Sequence, residues 1–269
     1  MSRIIAISNQ KGGVGKTTTC VNLAASLAAT RRRVLLVDLD PQGNATMGSG
    51  VNKNDVVLSG YHLLLKDVPL SDLIIDAEAA GYHLLPGNSD LTAAEVGLMQ
   101  SEERETRLGT RLQPLADDYD YILIDCPPAL NMLTLNALTA ADAVFIPVQC
   151  EYYALEGLSA LLETIELIRD AVNPGLEIEG LLRTMFDARN NLANEVSQQL
   201  LEHFGDKVYR TIIPRNIRLA EAPSYGTPIL QYDRTSRGAI AYLALAAEMV
   251  RRQEEARQPD EPRVEALGS

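Results

Sequence analysis

The stretch Ser8-Asn9-Gln10-Lys11-Gly12-Gly13-Val14-Gly15-Lys16-Thr17-Thr18 constrains this chain more than any other. It follows the apolar run Ile4-Ile5-Ala6-Ile7 and precedes a segment of helical spacing, so it reads as a loop joining a buried strand to a helix. Its three glycines let the backbone turn tightly and aim successive N–H groups at one point. The helix beginning near Lys16 adds the positive end of its dipole, which makes an anion site of the phosphate-loop kind. In such a site Lys16 reaches the β- and γ-phosphates of a nucleotide and the Thr17 hydroxyl ligates the accompanying Mg²⁺. Gly12, Gly13, Val14, Gly15 and Thr18 complete the cradle.

The usual pattern carries a glycine where this chain has Gln10, and a second lysine, Lys11, comes next. K-G-G-x-G-K-T-T resembles the deviant Walker A loop of the ParA/MinD group of ATPases, which also includes the nitrogenase iron protein and the arsenical-pump ATPase. The resemblance implies that Lys11 crosses a dimer interface to the partner's nucleotide.

A chain of 269 residues, 46% of them apolar, has room for one large α/β domain with a continuous core. No uncharged apolar run approaches the roughly 18 residues of a membrane span. The first residues run directly into a strand with no signal-peptide pattern, so a cytoplasmic protein is expected. Cys20, Cys126 and Cys150 are widely spaced and read as reduced structural thiols, and His62, His83 and His203 are too scattered for a metal site.

A net charge of −12 argues at first sight against a nucleic-acid partner. Its distribution reverses the argument, because residues 183–252 carry 10 Lys and Arg against 7 Asp and Glu. Past them, 257–269 is acidic and proline-interrupted and reads as a disordered tail behind a single domain, 1–256.

Buried-type strands are expected at 3–8, 33–38, 82–85, 121–125, 143–148, 178–186 and 208–213. Helices are expected at 17–30, 91–115, 154–171, 192–204 (with Gly205 as its cap) and 237–256, and 50–80 reads as a polar surface excursion. Continuous apolar strands alternating with helices predict an α/β fold with a mostly parallel, doubly wound sheet covered on both faces. Asp38 and Asp40 then lie at the carboxyl end of the second strand, beside the phosphate loop. Asp125 ends another buried strand, where a phosphate-loop ATPase holds Mg²⁺ through water.

Four further segments look like the chromosomal ParA/Soj partition ATPases over about residues 3–252: Leu-Asp-Pro-Gln-Gly-Asn (39–44), Ile-Asp-Cys-Pro-Pro (124–128), Pro-Val-Gln-Cys-Glu-Tyr-Tyr-Ala-Leu-Glu-Gly (147–157) and Ile-Pro-Arg-Asn-Ile-Arg-Leu-Ala-Glu-Ala-Pro-Ser (213–224). The resemblance implies ATP and Mg²⁺ as cofactors, an ATP-closed homodimer, non-specific double-stranded DNA as a partner, and a ParB-like centromere-binding protein that triggers hydrolysis. It also implies a nucleoid-associated protein. Lys11, Lys16 and Asp40 carry catalysis on this reading, Asp40 by orienting the attacking water; the alternative for Asp40 is a cap or turn. For Asp38, support of the Mg²⁺ shell and plain anchoring of the loop both stand. The resemblance suggests that Met185, Pro214 and Arg215 frame the adenine; otherwise Met185 is core and Pro214 sets a loop.

DNA contacts are sought among Arg183, Arg189, Lys207, Arg210, Arg215, Arg218, Arg234, Arg237, Arg251 and Arg252, with Arg189 and Arg218 foremost and Lys207, Arg237 and Arg251 behind them. A MinD-like membrane ATPase requires a basic amphipathic C-terminal helix, and the acidic segment from Gln253 to Pro262 does not match. An iron–sulfur reductase requires cysteines in a pattern that Cys126 and Cys150 lack. A metabolic ligase and a non-catalytic scaffold complete the alternatives.

Overall fold

The computed structural model describes residues 2–257. The segment expected to be a disordered tail, 257–269, lies outside the described residues except for the backbone of Arg257. In chain order the elements are β1 (Arg3–Ile7), α1 (Lys16–Ala29), β2 (Val34–Asp38), α2 (Asn44–Gly48), α3 (Gly60–Leu65), α4 (Leu70–Leu73), β3 (Ile75–Ala77) and β4 (Tyr82–Leu85). Then come α5 (Leu91–Leu98), α6 (Arg107–Leu112), β5 (Tyr121–Asp125), α7 (Met132–Ala140), β6 (Ala143–Gln149), α8 (Ala154–Ala171), β7 (Glu177–Phe186) and α9 (Asn191–Phe204). The chain closes with β8 (Val208–Pro214), α10 (Ile217–Glu221), α11 (Ile229–Tyr232) and α12 (Arg237–Arg257).

The strands form one sheet in the order β3-β4-β2-β5-β1-β6-β7-β8. Every pairing is parallel except that of the edge strand β3 with β4. Every residue of β2 and β5 is buried, which is the physical reason their sequences are continuously apolar. Successive side chains still alternate between two cores. Ala6, Leu35, Val37, Ile122 and Ile124 face a core shared with α5, α6, α7, α8 and α9. Ile5, Ile7, Leu36, Leu123 and Phe145 face one shared with α1, α11 and α12.

Three expectations change here. The predicted helical stretch 91–115 is two helices, α5 and α6, separated at 99–106. Both belong to the core, since Leu91, Leu98, Leu108 and Leu112 are fully buried. The polar excursion 50–80 contributes β3 and the buried core residues Leu63, Leu64, Leu73, Ala77 and Ala80. The segment after Pro128 contains an unexpected helix, α7, capped by the Asn131 side chain accepting from Thr134 N at 3.1 Å.

Because β1, β2, β5, β6, β7 and β8 run parallel, their carboxyl ends gather at one end of the sheet. The phosphate loop, Asp38, Asp125, Glu151, Met185 and Pro214 all follow or close those strands, and so the fold delivers them to a common rim.

Candidate nucleotide site

The loop after β1 is held from both sides. Gly13 and Gly15 have φ of +76° and +89°, a left-handed conformation that side chains resist, and Gly15 caps α1. Asn9 Oδ1 accepts from Lys11 N at 2.9 Å while its Nδ2 donates to Pro147 O at 2.8 Å, which ties the loop to β6. Thr184 Oγ1 donates to Val14 O at 2.8 Å and ties it to β7. The Val14 side chain is buried in the fold, so only its backbone belongs to the loop's inner surface. Lys16 is buried, with its Nζ 3.2 Å from Lys11 O. Burial lowers its pKa, and the nearby carboxylates, Asp125 first, act in the opposite sense.

Asp38 and Asp125 are direct register partners on β2 and β5, and both are fully buried. Asp38 Oδ2 accepts from Thr46 N at 2.8 Å and from Thr46 Oγ1 at 2.7 Å, and its Oδ1 accepts from Asp40 N at 3.1 Å. Thr46 Oγ1 in turn accepts from Gly87 N at 2.8 Å. Gly87 has no room for a side chain, since a Cβ there would lie 2.6 Å from Asp38 O. Of the two readings of Asp38, these contacts fit the loop anchor. Asp125 differs: its Oδ1 accepts from Cys20 Sγ at 3.2 Å and its Oδ2 has no hydrogen-bond partner. Burial raises the pKa of both carboxyls, and the repulsion of Asp38 pushes Asp125 further up. Asp40 is buried, and its Oδ1 accepts from Gln42 N at 2.9 Å.

A cavity of about 460 Å³ opens over this end of the sheet. Gly12, Gly13, Gly15, Lys16, Thr17, Thr18 and Asp40 line one side of it, and Met185, Pro214 and Arg215 line the other. The structure thus brings together the residues expected at phosphate and at base. Met185 holds φ at +47°, unusual for a residue with a side chain, directly after the Thr184 that clasps the loop. Thr184, Asn44, Asn216 and Tyr242 also line the cavity and were missed. Asn216 and Asn44 stood inside the quoted motifs, but nothing local marks Thr184 or Tyr242. Among the described residues no group of three or more His, Cys, Asp or Glu side chains is arranged to hold a metal ion. Beside the phosphate loop, Asp125 Oδ2 is a buried carboxylate oxygen with no hydrogen-bond partner.

Lys11 does not line the cavity. Its Nζ pairs with Glu151 at 2.9 Å, with side-chain exposures of 34% and 47%. An ion pair that open contributes about 0–1 kcal/mol, so it competes weakly with any buried or multiply charged anion.

The candidate DNA-contact residues divide between the two ends of the sheet. Arg189, Arg218 and Arg237 follow β7 and β8 or begin α12, near the cavity. Lys207 precedes β8, where its Nζ donates to Ile178 O at 3.0 Å, and Arg251 lies in the last turns of α12; both are at the opposite end. Arg189 is 90% exposed but clasped by Asp187 through Nε at 2.9 Å and Nη2 at 2.7 Å. Arg218 pairs with Glu221 at 2.9 Å and Asp233 at 3.6 Å. Arg237 makes no ion pair among the described residues. Arg183, taken as a candidate from sequence, is instead buried and donates to Ser197 Oγ and Tyr209 O, both at 2.9 Å. Arg252 likewise serves the fold, donating to Val208 O at 3.1 Å and lying over the Tyr209 ring.

With this geometry established, similarity to known proteins sharpens the picture. A family model described as an AAA domain matches residues 2–178. The chain is 54% identical to the chromosome partitioning protein ParA of Myxococcus xanthus, over 94% of this chain and 89% of that one. It is 55% identical to the sporulation initiation inhibitor protein Soj of Bacillus subtilis, over 93% and 98% respectively. Among solved structures, cobyrinic acid a,c-diamide synthase from Mycobacterium smegmatis with bound ADP and magnesium superposes with a TM-score of 0.83 at 38% identity, covering 96% of this chain and 97% of that one.

Proposed function

The chain belongs to the ParA/Soj family of chromosome-partitioning ATPases, and from that premise we propose that ATP with Mg²⁺ binds in the cavity, closes a homodimer that binds double-stranded DNA without sequence preference, and is hydrolysed to release it. The observation that carries this reading is the position of Lys11. It stands outside its own cavity on a weak, half-exposed pair with Glu151, where a second copy's nucleotide can take it.

Each residue then has a task. The backbone N–H groups of Gly13, Gly15 and Lys16 face the phosphates, and Lys16 neutralises charge on the γ-phosphate. Mg²⁺, when bound, draws charge from the phosphate oxygens. Thr17 would be its direct ligand and Asp125 would hold it through water, and the unpartnered Asp125 Oδ2 is the open acceptor that such a water would need. Asp40 orients the attacking water at the cavity rim; the water's oxygen forms a bond to phosphorus as the bond to the ADP oxygen breaks. Met185, Pro214 and Arg215 pack against the base. On the DNA side, Arg189, Arg218 and Arg237 form a sparse basic rim, doubled by dimerisation. Its low charge per copy agrees with binding that depends on the closed state. A ParB-like protein and the nucleoid complete the proposed setting. No described helix is long and apolar enough to cross a membrane.

The test is light scattering and ATP turnover on wild type and Lys11→Ala. The account expects ATP-dependent dimerisation and DNA-stimulated turnover in wild type. In the variant it expects nucleotide binding without dimerisation. A Lys11→Ala protein that dimerises normally with ATP removes the lysine from the partner's site. The likeness to the M. smegmatis synthase favours a second reading, an ATP-dependent ligase. Turnover that responds to DNA rather than to a small acidic acceptor separates the two.

A further inference from the structure

We infer that Cys20 is a positioning residue for Asp125: its thiol holds one carboxylate oxygen so that the other is presented, fixed in direction, to the water around Mg²⁺. The inference rests on the nucleotide reading of the cavity. Cys20 lies on α1 one turn beyond Lys16, fully buried, and its Sγ is 3.2 Å from Asp125 Oδ1. The thiol is the donor and the carboxyl oxygen the acceptor. A buried carboxylate normally collects donors at both oxygens, as Asp38 does. Asp125 has one well-formed hydrogen bond, from Cys20 to Oδ1, with the Thr17 hydroxyl close enough to interact and Oδ2 without a formed bond. One oxygen tied and its twin unpartnered is the arrangement that aims an acceptor.

Packing alone does not account for the cysteine. The buried part of α1 also holds Thr19, Asn22 and Ser26, but the core that Cys20 joins is Val21, Leu23, Ala24, Ala25 and Leu27, which an alanine or valine at position 20 would suit. A purely apolar residue would leave Asp125 Oδ1 without its donor. The carboxylate would then turn about its Cβ–Cγ bond, and the acceptor facing the metal's water would lose its fixed direction. Partners of this kind, one step removed from the metal, set affinity through the groups they orient.

The test uses the full chain with a fluorescent ADP analogue, titrated with Mg²⁺ and, separately, measured in chelator. Wild type is compared with Cys20→Ala, Cys20→Ser and Cys20→Val. The alanine and valine variants are expected to need about 10-fold more Mg²⁺ for the half-maximal gain in nucleotide affinity, with affinity in chelator unchanged. Serine, which keeps a donor, is expected to restore the wild-type requirement. Valine keeps the bulk, so it reads the loss of the donor even if alanine loosens the helix. Alanine and valine variants with the wild-type Mg²⁺ requirement overturn the inference, and so does a folded serine variant that fails as they do. If wild type binds the analogue neither with Mg²⁺ nor in chelator, the nucleotide reading of the cavity fails, and the two failures are thereby distinguished.

Discussion

Asp38 and Asp125 end neighbouring strands side by side, both fully buried and both with raised pKa, yet their surroundings are opposite. The end of β2 is saturated. Asp38 accepts three hydrogen bonds, from Thr46 N, Thr46 Oγ1 and Asp40 N, and the segment 38–46 is pinned against Gly87. The end of β5 is unfinished, with one thiol donor on Asp125 and one oxygen left over. Two identical side chains in register therefore do different work: a carboxylate whose acceptors are filled holds a loop, and one with an open acceptor beside a phosphate loop waits for a ligand. Their mutual repulsion also gives the site a reason to take up a cation.

The most severe way to break this comparison is Asp125→Asn. It should reduce Mg²⁺-dependent ATP turnover by about 10²–10³-fold, since it removes a group aimed at developing charge, while the protein stays folded. Steady-state turnover with a thermal melt checks both halves. The reciprocal change, Asp38→Ala, should act on stability. It leaves three donors without an acceptor and should cost about 2–4 kcal/mol in a urea titration, net of the repulsion it relieves. Should Asp38→Ala leave stability intact and abolish the Mg²⁺ response, the two roles have been assigned the wrong way round.

A subtler probe is pH. Burial raises both carboxyls above their values in the unfolded chain, so the folded protein binds protons more tightly. Their contribution to stability is complete below the ordinary carboxylate range and is lost as pH rises through the folded values. Without nucleotide or Mg²⁺, the melting temperature of wild type should fall between about pH 5 and about pH 8 more steeply than that of Asp125→Asn, which lacks one of the pair. Equal slopes would mean that the repulsion is not felt. The smallest effect is expected from Thr46→Val, which deletes the hydroxyl between Asp38 and Gly87 and should cost about 1–2 kcal/mol, with turnover nearly unchanged.

Much of this was legible before the structure. The phosphate loop, the acid-tipped strands and the parallel sheet are written in short local patterns, because buried parallel strands must be continuously apolar and a phosphate cradle must be rich in glycine. What stayed hidden was non-local. Asp38 and Asp125 look alike in sequence, and only the positions of Thr46, Gly87 and Cys20 tell them apart. Thr184 clasps Val14 across 170 residues, and no spacing rule reaches that far. Arg183 is a DNA-contact candidate by its charge alone, but its place in β7 buries it, and it donates to Ser197 and Tyr209 instead. The helix α7, which follows two prolines, starts at a side-chain cap from Asn131 that no local spacing marks.

The central claim, that nucleotide in this cavity switches a DNA-binding dimer, is tested most directly by co-sedimentation of the wild-type protein with double-stranded DNA at low salt, in ATP with Mg²⁺, in ADP with Mg²⁺ and without nucleotide. Protein is expected to pellet with DNA in ATP alone, and the binding to weaken steeply as salt rises. Equal pelleting in all three conditions, or none in ATP, would contradict that claim.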